Sequence, residues 1–414
     1  MDGGGISTKV DFGIHETAMQ TYLHEGERKA YALGNRGPIR FNPDGTLDAK
    51  ILKAYSRYGF YIFEGVLDSE ELADIERDFL YIQDRLPTDS DSKIDSKGRP
   101  ALGVDCKTSS FYWAKPLSDP WGGTDVGNGR HQVKMMEPEI AADAPKEIVY
   151  LIVGSLQFSD AFLRVYGHPK LLAVAEQING EDFVPFNEAL FIKEPGLGAS
   201  VSWHQDGQTH WNSPTWDEGT HGFNFMAQLY GCTAANGLWV VPGTHKLGKL
   251  NINAMLVEGE ADRIPGAVPL LCNPGDVAIS SRQIVHGSFA NTSPDWRVTV
   301  NFGFHRRTSV LNVETNSFHN EKIVYDEQLV HKRSRVIGYA IDARRQRFPL
   351  ETPFVYKPFK NSQGEYHWNE QAKAQIKVQA MPILWATRKD AAYSGQGLDR
   401  DVCGPNICDF TCLQ

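Results

Sequence analysis

His204 and Asp206 stand two positions apart within the aromatic and Gly-rich stretch 202–211. On an extended segment both side chains point to the same face. An imidazole and a carboxylate on one face, joined by a distant second histidine, form a facial triad that binds Fe(II) and leaves coordination positions open. His286 is the candidate for that second histidine. The spacing alone is weak evidence, because 13 histidines and 51 acidic residues in 414 positions give about one or two such pairs by chance. His319-Asn-Glu321 repeats the spacing without aromatic or Gly-rich surroundings and reads as a solvated surface pair.

What lifts the pair is the sequence around and after it. Trp203-His-Gln-Asp206 is followed by Asn236-Gly-Leu-Trp-Val-Val-Pro-Gly-Thr-His245, by Pro274-Gly-Asp-Val277, and by His286-Gly-Ser288, with Arg297 eleven residues beyond His286. This ordered set resembles the phytanoyl-CoA dioxygenase family of non-haem Fe(II)- and 2-oxoglutarate-dependent oxygenases. The run from Tyr55 to Asp78 is similar to that family's N-terminal helix and strand, so the resemblance covers about residues 50–86 and 183–305.

The resemblance implies that His204, Asp206 and His286 are the iron ligands and that Arg297 meets the distal carboxylate of 2-oxoglutarate. Elementary chemistry agrees. Two imidazoles and one carboxylate suit Fe(II) and leave room for a chelating keto acid and O2. A planar guanidinium pairs bidentately with a carboxylate and keeps its charge near neutral pH. Ser288 matches a family position that hydrogen-bonds the same carboxylate, with Thr299 as a competing donor. Asn187 matches a polar position near the cosubstrate, and Lys193 a recurrent lysine before a Pro-Gly turn at the substrate pocket. Phe191 departs from the polar residue often found two before that lysine. Trp211 and Trp216 read as pocket wall, His210 and His221 as surface or packed residues. His245 reads as a structural histidine pinning a turn, and Arg306 and Arg307 as a solvated strand end.

These residues need a scaffold. Alternating apolar segments at 183–193, 223–230, 238–241, 276–281 and 297–305, separated by Gly, Pro and Asn signals, predict a sandwich or barrel. With the resemblance, the expected fold is mainly β with α additions: a double-stranded β-helix, or jelly roll, with flanking helices. Residues 1–46 show little periodicity and are expected to form an arm over a core spanning 47–306, with 307–414 as an extension packed outside. A helix over 47–58 should run into a strand at 59–63. Asp68 with Glu71 marks a capping-box start for the next helix, which Pro87 ends. Residues 87–136 form a long aromatic loop, a candidate pocket wall, before helices over 144–166 and 169–179.

An apolar share of 41%, a net charge of −9 and a pI near 5.8 fit a globular chain and argue against a nucleic-acid partner. No stretch looks like a signal peptide or a membrane span, so a cytoplasmic location is expected. Cys106, Cys232 and Cys272 read as reduced thiols, and the spacing of Cys403, Cys408 and Cys412 fits no recognised zinc site.

The expected activity is oxidation of a C–H bond in a small-molecule metabolite, with 2-oxoglutarate decarboxylated to succinate and CO2. Fe(II), 2-oxoglutarate and O2 are the implied cofactors, with ascorbate as a stimulant. The carboxylate at Asp206, replaced by a small residue in related halogenases, favours hydroxylation over halogenation. Desaturation, epoxidation and ring closure differ only after hydrogen abstraction and stay open. Two rivals are a cupin-like binding protein without turnover and a zinc or manganese hydrolase or isomerase. A hydrolase has no need of Arg297. Oligomeric state is not readable from the sequence.

Overall fold

Strand-forming runs build two sheets, and the candidate site lies between them. The computed structural model describes residues 10–106, 109–124, 129–206, 222–256, 262–316 and 322–376. In chain order the strands are β1 (Arg36–Gly37), β2 (Phe60–Phe63), β3 (Phe111–Ala114), β4 (Ile148–Val153), β5 (Val184–Lys193), β6 (Val201–His204), β7 (Gly222–Gln228), β8 (Trp239–Val240), β9 (Val268–Pro269), β10 (Val277–Ser281), β11 (His286–Ser288) and β12 (Arg297–His305). The principal helices are α1 (Glu16–Leu33), α2 (Ala49–Tyr58), α3 (Ser69–Asp84), α4 (Asp160–Tyr166), α5 (Pro169–Asn179) and α6 (Glu327–Arg347).

The larger sheet has the order β1-β2-β10-β7-β12-β5-β4-β3, and the smaller β6-β11-β8-β9. Within both sheets every pairing but β1 with β2 is antiparallel. Residues of β5, β7, β10 and β12 face residues of β6 and β11 across one cavity. The architecture is thus the mainly β jelly roll with flanking helices that the resemblance implied, built on the barrel-type strand pattern.

Local chemistry sets the helix ends. The Asp68 side chain accepts from the N–H groups of Glu70 and Glu71 while Glu71 reaches back to Asp68 N–H, a complete capping box opening α3. Pro169 takes the first position of α5, where its missing N–H costs nothing.

Two expectations are corrected. Residues 144–166 are not one helix: Ile148-Val-Tyr-Leu-Ile-Val153 is β4, buried along its whole length between β3 and β5. β-branched residues fit a strand covered on both faces, and α4 begins only after the Ser159 cap. Residues 1–46 are not simply irregular either. They hold the 18-residue helix α1, which lies on the smaller sheet with Tyr22 stacked on Trp239 at 4.7 Å between ring centroids. Gly26 makes that approach feasible, since a Cβ there would fall 2.2 Å from the Trp239 indole.

The described part of the C-terminal extension packs on the core. Arg344 donates to Glu71 at 2.6 Å, and Arg164 and Arg347 both donate to Asp74 at 2.9 Å, so α6, α4 and α3 share one ionic cluster. Arg307 pairs with Glu327. Among the described residues no helix is long and apolar enough to cross a membrane. The His319–Glu321 pair and the three tail cysteines lie outside the described residues.

Candidate active site

The register of β6 and β11 builds the centre. His204, the last residue of β6, is the direct antiparallel partner of His286, the first of β11. Asp206 follows two residues later, its N–H bonded to the Arg282 carbonyl at 2.8 Å. Each histidine uses Nδ1 on a carbonyl two residues earlier, His204 on Ser202 at 2.7 Å and His286 on Ile284 at 2.9 Å. A carbonyl can only accept, so Nδ1 carries the proton and Nε2 carries the lone pair. Those two lone pairs converge on Asp206: His204 Nε2 lies 3.5 Å from Oδ1 and His286 Nε2 lies 3.8 Å from Oδ2.

The ligand atoms of all three residues lie within 4.8 Å of one another. His204 Nε2 and Asp206 Oδ1 are buried and meet no hydrogen-bond partner among the described residues. Buried polar atoms without partners are costly, and a divalent cation would satisfy both. Electrostatics keeps His286 and Asp206 in their ligating forms. Burial, then the neighbouring His204, pushes the His286 imidazole down to about 3, so it is neutral near pH 7. Burial alone would raise the Asp206 carboxyl, but Arg282 and the two imidazoles hold it well below the usual carboxylate range. The donor set therefore fits Fe(II).

From this centre a cavity of about 520 Å³, counting its open mouth, runs between the sheets to Arg297. Arg297 is buried at the start of β12, and its Nε donates to Thr299 Oγ1 at 3.0 Å. Thr299 in turn donates to Gln228 Oε1 at 2.8 Å, so its hydroxyl is already engaged on both sides. The buried Ser288 hydroxyl lines the same cavity and has no hydrogen-bond partner among the described residues. Of the two competing donors, Ser288 is the one left available.

Seven of the residues singled out in the sequence, Phe191, His204, Asp206, His286, Ser288, Arg297 and Thr299, thus line one cavity. Lys193 does not. It is the register partner of Arg297 on β5, but its ammonium donates to the Phe289 carbonyl outside the cavity lining. Burial and then Arg297 hold its pKa well below that of an ordinary lysine. Trp211, Trp216, His210 and His221 lie outside the described residues, as does the side chain of Asn187, whose backbone is in β5. His245 pins its turn as expected, hydrogen-bonding the Ser56 carbonyl at 3.1 Å through Nε2.

Four residues near the centre escaped the sequence reading. Asn224 on β7 lies 3.3 Å from Asp206 Oδ2 through Nδ2 and accepts from Arg282 Nη1, also at 3.3 Å. Arg282 is fully buried, its guanidinium 3.9 Å from the Phe186 ring centroid. The alternation Asn224-x-Met226-x-Gln228 within an apolar strand was a usable signal for Asn224. From the 87–136 segment, His131 lies against the His204 ring with centroids 4.4 Å apart and bonds Ser202 Oγ at 2.8 Å. Arg130 donates through Nε to His131 Nε2 at 3.2 Å and brings Nη1 to 3.5 Å from Asp206 Oδ1. Nothing in the spacing around residues 130 and 131 announces this.

The model of the Phytanoyl-CoA dioxygenase (PhyH) family matches residues 55–299. A phytanoyl-CoA dioxygenase 1 of Oryza sativa subsp. japonica is 30% identical over 119 residues, covering 26% of this chain and 40% of its own. The chain thus spans well under half the length of that relative. An L-proline trans-4-hydroxylase of Streptomyces griseoviridis is 25% identical over 221 residues, 47% of this chain and 81% of its own. Among solved structures, EctD from S. alaskensis with bound Fe superposes with a TM-score of 0.44 at 17% identity, covering 66% of this chain and 81% of that one.

Proposed function

Since the chain belongs to the phytanoyl-CoA dioxygenase family of Fe(II)- and 2-oxoglutarate-dependent oxygenases, we propose that it hydroxylates a C–H bond of a small-molecule metabolite while converting 2-oxoglutarate to succinate and CO2. One observation carries this reading. A single cavity has, at one end, metal-binding atoms without a hydrogen-bond partner among the described residues and, at the other, a buried arginine. A hydrolase has use for the first feature only.

His204, Asp206 and His286 would hold the iron, with the two Nε2 lone pairs and Asp206 Oδ1, the oxygen that Asn224 leaves unbonded, as the available donors. Bound Fe(II) supplies the redox chemistry with O2. Arg297, fixed by Thr299, receives the distal carboxylate of 2-oxoglutarate, and Ser288 adds a hydroxyl to it. The buried walls exclude water and keep these polar contacts strong. Asp206 occupies the position that would have to be small for a halide, which favours hydroxylation over halogenation.

The substrate class follows the setting. Arg130 sets a buried cation 3.5 Å from Asp206 Oδ1, beside the metal-binding carboxylate and off the cavity lining, where it would favour a small metabolite whose carboxylate reaches past the metal. L-proline, named for the Streptomyces griseoviridis relative, and similar amino and hydroxy acids form the first pool to test. Succinate formation under air, from protein loaded anaerobically with Fe(II) and supplied with ascorbate, should require a member of that pool and vanish in His204→Ala. Equal succinate from the variant would remove the triad from the reaction.

A further inference from the structure

Cys232 and Cys272 are directly opposed across an isolated antiparallel bridge. They exchange both backbone hydrogen bonds, Cys232 N–H to Cys272 O at 2.9 Å and Cys272 N–H to Cys232 O at 3.1 Å. Residues paired in this way have Cα atoms about 5.5 Å apart, within the range of roughly 4.4–6.8 Å that a disulfide spans. Both are buried free thiols. The Cys232 thiol donates to the Leu270 carbonyl at 2.8 Å, and the two thiols are close enough to act on each other's proton affinity.

Cys232 also lies within the segment that frames Arg297. The turn that opens at Cys232 is closed by Asn236, whose side chain accepts from Thr233 N–H at 2.9 Å. The Asn236 carbonyl faces Arg297 Nη1 at 3.5 Å. Four residues before Cys232, Gln228 holds the Thr299 hydroxyl that takes Arg297 Nε. Both lateral supports of this arginine therefore flank Cys232 in the chain.

We propose that Cys232 and Cys272 form a reversible disulfide under peroxide, and that its closure weakens 2-oxoglutarate binding by shifting the turn that supports Arg297. The second half rests on the reading of Arg297 given above. Cys232 is the attacking sulfur: hydrogen bonding from Cys272, and Arg297 nearby, lower its thiol below the usual cysteine value against the opposing pull of burial. Its thiolate attacks the peroxide O–O bond, forming a sulfenic acid while the departing hydroxide takes a proton to become water. The Cys272 sulfur then displaces the sulfenic hydroxyl as a second water. Two thiols lose two electrons, and one peroxide becomes two waters. A small oxidant suits thiols this buried. A disulfide wants Cβ atoms at about 3.5–4.5 Å, shorter than the roughly 5.5 Å upper range of a hydrogen-bonded strand pair. Closure thus draws the turn towards the opposite strand.

The test treats the full-length protein with hydrogen peroxide before metal loading and removes the excess with catalase. Peptide mapping then follows, and 2-oxoglutarate is titrated after anaerobic addition of Fe(II). The expected result is a Cys232–Cys272 cross-linked peptide, a several-fold weaker Kd for 2-oxoglutarate, and recovery of both with a reducing dithiol. Cys272→Ser should bind 2-oxoglutarate like the reduced protein and not respond to the treatment. Full alkylation of both cysteines after peroxide overturns the disulfide, and a cross-link with unchanged affinity overturns its coupling to Arg297. Reduced protein that binds iron but no 2-oxoglutarate would instead strike the assignment of Arg297 and leave the mapped cross-link standing.

Discussion

The two walls around His204 are built by different means. On the cavity side, Ser288, Arg297 and Thr299 are placed by the register of β11 and β12, with backbone ladders fixing where each side chain emerges. On the other side, Arg130 and His131 arrive from the long 87–136 segment and are held mainly by side-chain bonds, to Ser202, to Asp206 and to each other. A ladder defines position within a fraction of an ångström and leaves few alternatives. Side-chain bonds from an irregular segment can be exchanged for others without disturbing the sheet. The ladder wall is suited to the invariant partners of the reaction, iron and 2-oxoglutarate, and the loop wall to whatever distinguishes one substrate from another.

If that division is right, damage to the ladder wall should remove cosubstrate or metal, and damage to the loop wall should not. The largest effect is expected at the centre itself. Asp206→Ala should abolish turnover and metal binding together, exceeding the about 10–100-fold loss typical when only an outer partner of a metal ligand is removed. Metal retained at parental affinity, measured by anaerobic Fe(II) titration, would relocate the site. Next comes Arg297→Ala, which should weaken 2-oxoglutarate binding about 30-fold or more, the counterpart of the ~2 kcal/mol lower bound for breaking a buried charge pair. Iron affinity should be unchanged there. Arg297→Lys should restore only part of the loss, because an ammonium cannot offer the planar fork.

The loop wall makes the opposite prediction. Arg130 places a second cation 3.5 Å from the oxygen that the metal would take, so the two compete for Asp206 Oδ1. Arg130→Gln should therefore tighten Mn(II) or Fe(II) binding several-fold and leave the Kd of 2-oxoglutarate alone, while raising the KM of the organic substrate. Weaker metal binding in the variant would make Arg130 a support of the centre and erase the contrast between the walls.

The same contrast explains what could be read from the sequence. Alternation located β5, β7, β8, β10 and β12, but not the short β6 and β11; the pocket residues on those two strands were legible from the His-x-Asp spacing and the family resemblance. Asp68 and Glu71 announced α3 because a capping box is a purely local device. α1 was overlooked although Met19, Leu23 and Gly26 recur at helical spacing on its buried side, since the Gly-rich flanks dominate the composition of the segment. In 144–166 an apolar run without polar alternation reads as helix, whereas the six residues Ile148–Val153, mostly β-branched, suit a strand covered on both faces. Arg130 and His131 carried no signal at all. Their place depends on how an irregular segment of the chain folds back onto Ser202, which no local pattern encodes.

The smallest effect belongs to the scaffold beneath the ladder wall. Burial pushes the His245 imidazole down to about 4 from an ordinary value near 6.5. Its ring lies directly over Gly59, where an added Cβ would fall 2.5 Å from Nδ1. The folded state therefore resists a proton that the unfolded chain accepts from about pH 6.5 downwards. Stability from this group is complete above that value and is lost progressively as the pH falls towards 4. His131, His168 and His286 are lowered by burial in the same sense, so the wild-type decline should be steeper than one proton can give. His245→Gln, which offers an amide N–H to the Ser56 carbonyl without a titrating ring, should cost little at neutral pH and reduce the decline by about one proton. Urea unfolding of both proteins between pH 7 and pH 4 reads this directly: converging curves support the assignment, and parallel ones show that His245 is protonated in the fold and that its burial does not govern its charge.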